Sequence, residues 1–271
     1  EVWGWADTGV GGEDSLVDRG SSASNFLRRG PPTSPAGQQA SLAGRGPAQA
    51  FCRKIRDAVG PRADLLFGTH GQFSTGGAIR MGQAIEQFSP LWFEEPIPPD
   101  AVEEMAKVAR AVRIPVATGE RLTTKAEFAQ VLRAGAANIV QPALGRSGGI
   151  WETKKIATLA EVYNAQVAPH LYAGPIEWAA NVQLAATLPN ILMCETIETP
   201  FHDALIKSSI TIENGYVNVP TAPGLGIDVD EALARAHPLT DDGLHLQMQQ
   251  DPISYHAQNL FAGGAPVKDQ T

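Results

Sequence analysis

The chain has 271 residues, 43% of them apolar, enough to bury a sizeable core and close to the roughly 250 residues typical of a single βα barrel. Its formal net charge of -8 leaves no basic field for phosphates, so nucleic acid is not an expected partner. No apolar run approaches the roughly 18 residues of a membrane span and no basic-then-apolar leader opens the chain, so a cytoplasmic protein without a membrane partner is expected.

Residues 1–50 carry little regular pattern. VWGWA at 2–6 is strand-like, whereas GPPTSPAGQQASLAGRGPA at 30–48 is rich in Gly, Pro, Ala and Ser and favours loop or disorder. Cys52 and Cys194 stand far apart with no CxxC spacing, which argues against a disulfide framework or a zinc cluster and for buried free thiols. From residue 64 short apolar runs alternate with amphipathic segments: DLLFG (64–68), LWFEEP (91–96), PVATGE (115–120), ANIVQP (137–142), AQVAPH (165–170) and ILMCE (191–195). Between them, Ala78, Met81, Ile85 and Phe88 recur at helical spacing, as do Val102, Met105, Ala109 and Val112, and later Ile176, Ala180, Leu184 and Leu188. Thr124 followed by Glu127 forms a capping box ahead of Phe128, Val131 and Leu132. Towards the end YVNVP (216–220) reads as a strand, PGLG (223–226) as a turn, and a last helix is expected from Asp230. The expected organisation is an irregular segment over 1–50, a βα barrel with a C-terminal return segment over 51–237, and a poorly ordered tail over 238–271.

Strand followed by helix, repeated, predicts parallel βα units whose strands end on one rim, where barrels place their chemistry. At or just past those ends stand Gly68, Glu94, Glu120, Ala143, His170 and Glu195, spaced 23 to 27 residues apart, and four of the six are ionisable. Glu94 and Glu120 converging on the axis would need a cation or a shared proton to offset their repulsion, and a hard divalent ion such as Mg²⁺ suits oxygen ligands. The alternative is that either glutamate bonds a neighbouring strand or Arg121. His170 at a strand mouth is a candidate base or acid, or a structural histidine. His70, two residues past its strand end, is placed to face it across the mouth. Two histidines flanking an ion suit removal of a proton from one carbon and protonation of a hydroxyl leaving the next. Glu195, if protonated, would hydrogen-bond a substrate carboxylate or an enediolate; a buried ion pair is the other reading. Arg146, Gly148 and Gly149 in GRSGG offer a backbone approach to an anion. His202 and His237 fall outside the rim phase and are expected to be surface or structural residues.

WFEEP, then ATGERL, then APH followed by GP, then the PGLG turn resemble the enolase superfamily over about residues 51 to 237. The likeness is to its mandelate racemase subgroup, especially sugar-acid dehydratases of the galactonate dehydratase type. The resemblance implies a TIM-type barrel that binds Mg²⁺ to stabilise an enediolate. By position it implies Glu94 and Glu120 as metal ligands, His170 as the base, Glu195 as the acidic residue after the last strand, and His70 as the group that helps hydroxide leave.

Three departures accompany the resemblance. Gly68 stands where it implies the first metal-binding aspartate, and Ala143 where it implies the aspartate that orients the basic histidine. The N-terminal part is expected to be incomplete or irregular, with no counterpart of the usual capping domain. The function expected is an Mg-dependent aldonate dehydratase acting on a small acid sugar, with Mg²⁺ held weakly or not at all. Its alternatives are a racemase or epimerase of the same superfamily and a catalytically silent barrel with a ligand-binding or subunit role. An uncapped rim would expose apolar surface, so a homo-oligomer is expected.

Overall fold

Strands apolar on both faces require cover on both, and this chain supplies it by placing a helix after nearly every strand. The computed structural model describes residues 2–3, 42–197, 199–208 and 210–238. A short strand β1 (Val2–Trp3) and a helix α1 (Leu42–Val59) come first. The repeating units follow: β2 (Leu66–Gly68), α2 (Thr75–Ile85), β3 (Trp92–Glu94), α3 (Val102–Ala111), β4 (Val116–Thr118) and α4 (Lys125–Ala134). They continue with β5 (Ile139–Val140), α5 (Gly149–Val162), β6 (Gln166–Val167) and α6 (Pro175–Ala185).

Strands β2 to β6 form one parallel sheet in chain order, with Gly68 opposite Glu94, Phe93 opposite Val116, Thr118 opposite Val140 and Val140 opposite Val167. Residues 191–195 hold the sixth strand position without completing a strand. Val167 bridges Ile191 in parallel, and Leu192 N donates to Val167 O at 2.8 Å. The result is an incomplete βα barrel with its strand C-termini on one rim.

Alternation along each strand divides the core. Phe67, Phe93, Val116, Val140 and Val167 pack outward with Met81, Ile85, Met105, Val108, Phe128 and Ile156 of the helices. Their neighbours Trp92, Ala117, Ile139 and Ala168 pack on the inner face with Leu66 and Leu192. Entry to α4 uses the capping box expected from Thr124 and Glu127, which satisfies helix-end N–H groups that would otherwise lack partners.

The chain then turns through α7 (Pro200–Leu205), β7 (Ile206–Ser208), β8 (Ile212–Glu213), β9 (Tyr216–Val217), β10 (Ile227–Val229) and α8 (Glu231–Ala236). Asn214 and Gly215, both at positive φ, close the β8–β9 hairpin, and β1 pairs on the other side of β9. β7 pairs antiparallel with β10, and Asp230 caps α8 by accepting from Leu233 N at 2.9 Å.

Four features differ from the sequence expectation. Residues 42–48, expected in a loop, form the first turns of α1. The far half of that helix buries Cys52 and is tied by Arg56 to the carbonyls of Gly60, Ala63 and Phe88, so tertiary contacts carry helix into a segment of weak local propensity. Ile176 is 49% exposed, because α6 begins at Pro175 and turns Trp178, Ala179 and Val182 inward instead. ILMCE makes bridges rather than a strand. The elements α7, β7 and β8 have no clear sequence signal. Of VWGWA, Val2 and Trp3 are in strand, while residues 4–6 lie outside the described residues, as does the tail from 239. Cys52 and Cys194 are free and buried, and burial pushes both thiols up to about 12, which makes them poor nucleophiles. Among the described residues no helix is long and apolar enough to cross a membrane.

Candidate active site

The consecutive glutamates of WFEEP go to different places. Alternate strand residues share a face, so Trp92 and Glu94 point inside the barrel while Phe93 points to the helices. Glu94 Oε2 accepts from Trp92 Nε1 at 2.9 Å and from Gln141 Nε2, just past β5, at 2.8 Å. Glu95 then takes a left-handed φ of 37° and leaves the strand pattern. Its side chain is fully buried, and its Oε2 accepts from Arg121 Nε at 2.8 Å and lies 2.6 Å from Arg121 Nη2. Burial pushes the Glu95 carboxyl up, with Arg121 pulling against it.

The next strand delivers Glu120. β4 ends at Thr118, and Gly119 follows with φ 143°, where a Cβ would lie 2.8 Å from both Gln141 N and a Phe128 ring carbon. Only glycine allows that turn, which carries Glu120 to His170: their Oε2 and Nε2 are 3.1 Å apart. Arg146, exposed on the next loop, donates from Nη1 to Glu120 O at 3.2 Å. Burial alone would raise the Glu120 carboxyl. The His170 hydrogen bond and the charges of His170, His70 and Arg121 outweigh it and hold the carboxyl below its usual range. For His170 burial works to lower the pKa, but the bond to Glu120 and the charges of Glu195, Glu120 and Glu94 raise it.

His170 Nδ1 is buried with no hydrogen-bond partner among the described residues. Ala143, where an orienting aspartate was implied, is itself buried and brings no acceptor side chain. Glu195 Oε2 accepts from Leu171 N at 2.6 Å, next to His170 in the chain. Crowding by protein raises the Glu195 carboxyl, against the pull of His170, while solvent at its exposed side chain screens the effect.

His70 is exposed, at φ 48°, and its charge acts on Glu120. Thus Glu94, Glu120, His170 and Glu195 share one electrostatic neighbourhood, and His70 stands at its edge. His202 and His237 lie elsewhere, on the carbonyls of Ile197 at 3.1 Å and Leu233 at 3.0 Å. Of the glycines in GRSGG, Gly148 precedes α5 and Gly149 begins it.

The rim offers a divalent ion few donors. Gly68 pairs with Glu94, and a Cβ there would lie 3.9 Å from Glu94 Oε1, so the position faces the site but supplies no oxygen. Among the described residues no group of three His, Cys, Asp or Glu is arranged to hold a metal. What remains are the carboxylates of Glu94 and Glu120, oxygen donors of the kind a hard cation takes, which as two ligands would leave such an ion most of its own water. Arg121, expected as an alternative partner of Glu94 or Glu120, bonds Glu95 instead, while the sequence pattern marks neither Trp92 nor Gln141 as a partner of Glu94. Period-two alternation from Glu94 back to Trp92 is the one signal that would have pointed to either of them.

Over residues 42–233 the chain matches the Enolase C-terminal domain-like family. It is 39% identical over 200 residues to the D-gluconate/D-galactonate dehydratase of Picrophilus torridus, covering 73% of this chain and 51% of that protein. To the D-xylonate dehydratase of Haloferax volcanii it is 35% identical over 185 residues, covering 68% and 45%. The crystal structure of mandelate racemase/muconate lactonizing enzyme from Sulfitobacter sp. superposes with a TM-score of 0.76 at 71% identity, covering 82% of this chain and 56% of that one. The chain spans about half the length of these relatives.

Proposed function

The chain belongs to the enolase superfamily, and on that premise we propose that it is a sugar-acid dehydratase, a hydro-lyase converting an aldonate to a 2-keto-3-deoxy acid. One observation carries the reading: His170 sits 3.1 Å from Glu120 at the mouth of the barrel, with Glu94 and Glu195 acting on the same imidazole.

In this reading His170 removes the proton on the carbon beside the substrate carboxylate, and the C–H electron pair passes into that carboxylate as an enediolate. When His170 is the imidazolium of an ion pair with Glu120, its Nε2 serves as a base only after releasing that proton to solvent, the remaining proton staying on Nδ1. Glu195 steadies the enediolate by a hydrogen bond when its carboxyl is protonated, the form that crowding favours. Collapse of the enediolate breaks the C–O bond on the next carbon, His70 protonates the departing hydroxide to water, and the resulting enol tautomerises to the keto acid. Mg²⁺, held by Glu94 and Glu120, would supply positive charge to the substrate carboxylate. Trp92 and Gln141 fix the Glu94 carboxylate through Oε2, which leaves Oε1 turned to the space beside Gly68.

A screen of aldonates for keto-acid product, with and without Mg²⁺, tests the proposal. Keto acid from at least one aldonate, lost on Glu94→Gln/Glu120→Gln, is expected. Exchange of the α-proton with solvent but no keto acid would instead mark a racemase or epimerase. The unpartnered Nδ1 of His170 and the alanine at 143 favour a second reading, a catalytically silent barrel. Absence of both exchange and product with every acid sugar would select it.

A further inference from the structure

We propose that Glu95 and Arg121 form a positioning clamp that holds the loop carrying His70 against the rim beside Glu120. The proposal deepens the dehydratase reading and rests on it for the role of His70.

Arg121 follows Glu120 directly, and its guanidinium grips Glu95 Oε2 from Nε at 2.8 Å and Nη2 at 2.6 Å. Glu95 in turn holds the loop after β2. Its carbonyl accepts from Gly71 N at 2.6 Å and from Thr69 Oγ1 at 2.8 Å. Thr69 Oγ1 also reaches Glu94 O at 2.9 Å, Thr69 N reaches the same carbonyl at 3.1 Å, and Phe73 N reaches Pro96 O at 3.3 Å. His70 lies in the middle of these bonds. The guanidinium thereby joins the loops after β3 and β4, and the backbone carbonyls of Glu94, Glu95 and Pro96 join the loop after β2 to them.

The fit leaves no room for a side chain at position 71. Gly71 has φ 67°, and a Cβ there would lie 2.5 Å from Arg121 Nη2 and 3.1 Å from Ile97 O. The guanidinium therefore lies against the backbone next to His70. His70 at φ 48° and Glu95 at φ 37° both occupy the left-handed region, which costs free energy for residues with a Cβ and persists only where surrounding contacts over-determine it. The buried Glu95 carboxylate also needs Arg121, since without it the charge would stand uncompensated. Glu120 has independent ties to His170 and Arg146, so the group that depends most on the clamp is His70.

The test uses the full chain with Glu95→Gln and with Glu95→Gln/Arg121→Met, the latter leaving no unpaired buried charge. In the double variant, amide hydrogen exchange at Gly71 and Phe73 is expected to speed up about tenfold, with the Phe93 and Gln141 amides, bonded to β4 and the residue before it, unchanged. The His70 ring proton signals should move while those of His202 and His237 stay. On an aldonate that the parent dehydrates, keto-acid formation should fall about thirtyfold and α-proton exchange less than about threefold, because only the leaving-group step uses His70. Loop amides and His70 signals at their parent values overturn the clamp, and so does a loss of both reactions in equal proportion. If the parent dehydrates no aldonate the functional reading fails by itself, and the loop amides and His70 signals alone decide the clamp.

Discussion

At the scale of single residues, the Glu120–His170 contact sets the pH behaviour. Glu120 is held below the ordinary 4.5 of a glutamate, so its stabilising contribution is complete above that value and is lost as pH falls through the depressed pKa. His170 is raised above 6.5, so its contribution is complete below 6.5 and is lost as pH rises through the raised pKa. The pair thus stabilises the fold most between those two values, whereas base catalysis needs His170 neutral, on the alkaline side. The rate of α-proton exchange should therefore rise with pH along a limb centred above 6.5. Glu120→Gln should move that limb to lower pH and reduce stability most in the mildly acidic window. A limb unmoved by Glu120→Gln, in a pH–rate profile, would mean that the contact does not set the basicity of His170. The shared rim placement of Glu94, Glu120, His170 and Glu195 was legible in sequence because each ends or just follows an apolar run in the same phase. The opposite destinations of Glu94 and Glu95 were not, because they depend on a left-handed residue that no local motif announces.

At the scale of elements, Gly119 is the joint between β4 and the site. Its positive φ and the crowding from Gln141 N and Phe128 mean that Gly119→Ala adds both backbone strain and overpacking, a cost of about 3 kcal/mol. Denaturant unfolding should show that loss with an unchanged m-value, and the variant should also lose the Glu120–His170 coupling in its pH profile. A variant as stable as the parent would show that the turn relaxes without cost. The element pattern itself was readable for α2, α3 and α4, where buried residues recur at helical spacing and a capping box marks the entry. It was misread in α6, where Pro175 sets the phase and leaves Ile176 outside, and in α1, whose Gly and Pro content masked a helix held by long-range contacts. Both cases are tertiary packing overriding a local signal.

At the scale of the whole molecule, six parallel strand positions put one acid–base pair, two further carboxylates and an outlying histidine on a single rim. The barrel was legible because its strands recur at regular intervals, while of the C-terminal strands only β9 was announced, by YVNVP, and β7, β8 and β10 fall outside any period. The central claim is that this rim removes a proton from the carbon beside a carboxylate, with His170 as the base. The most direct measurement follows α-deuterium incorporation into aldonates in D₂O by NMR, comparing the parent, His170→Asn and His70→Asn. The account predicts incorporation by the parent, a loss of about a hundredfold or more in His170→Asn, and retention in His70→Asn with no keto acid formed. Incorporation at the parent rate by His170→Asn would contradict it.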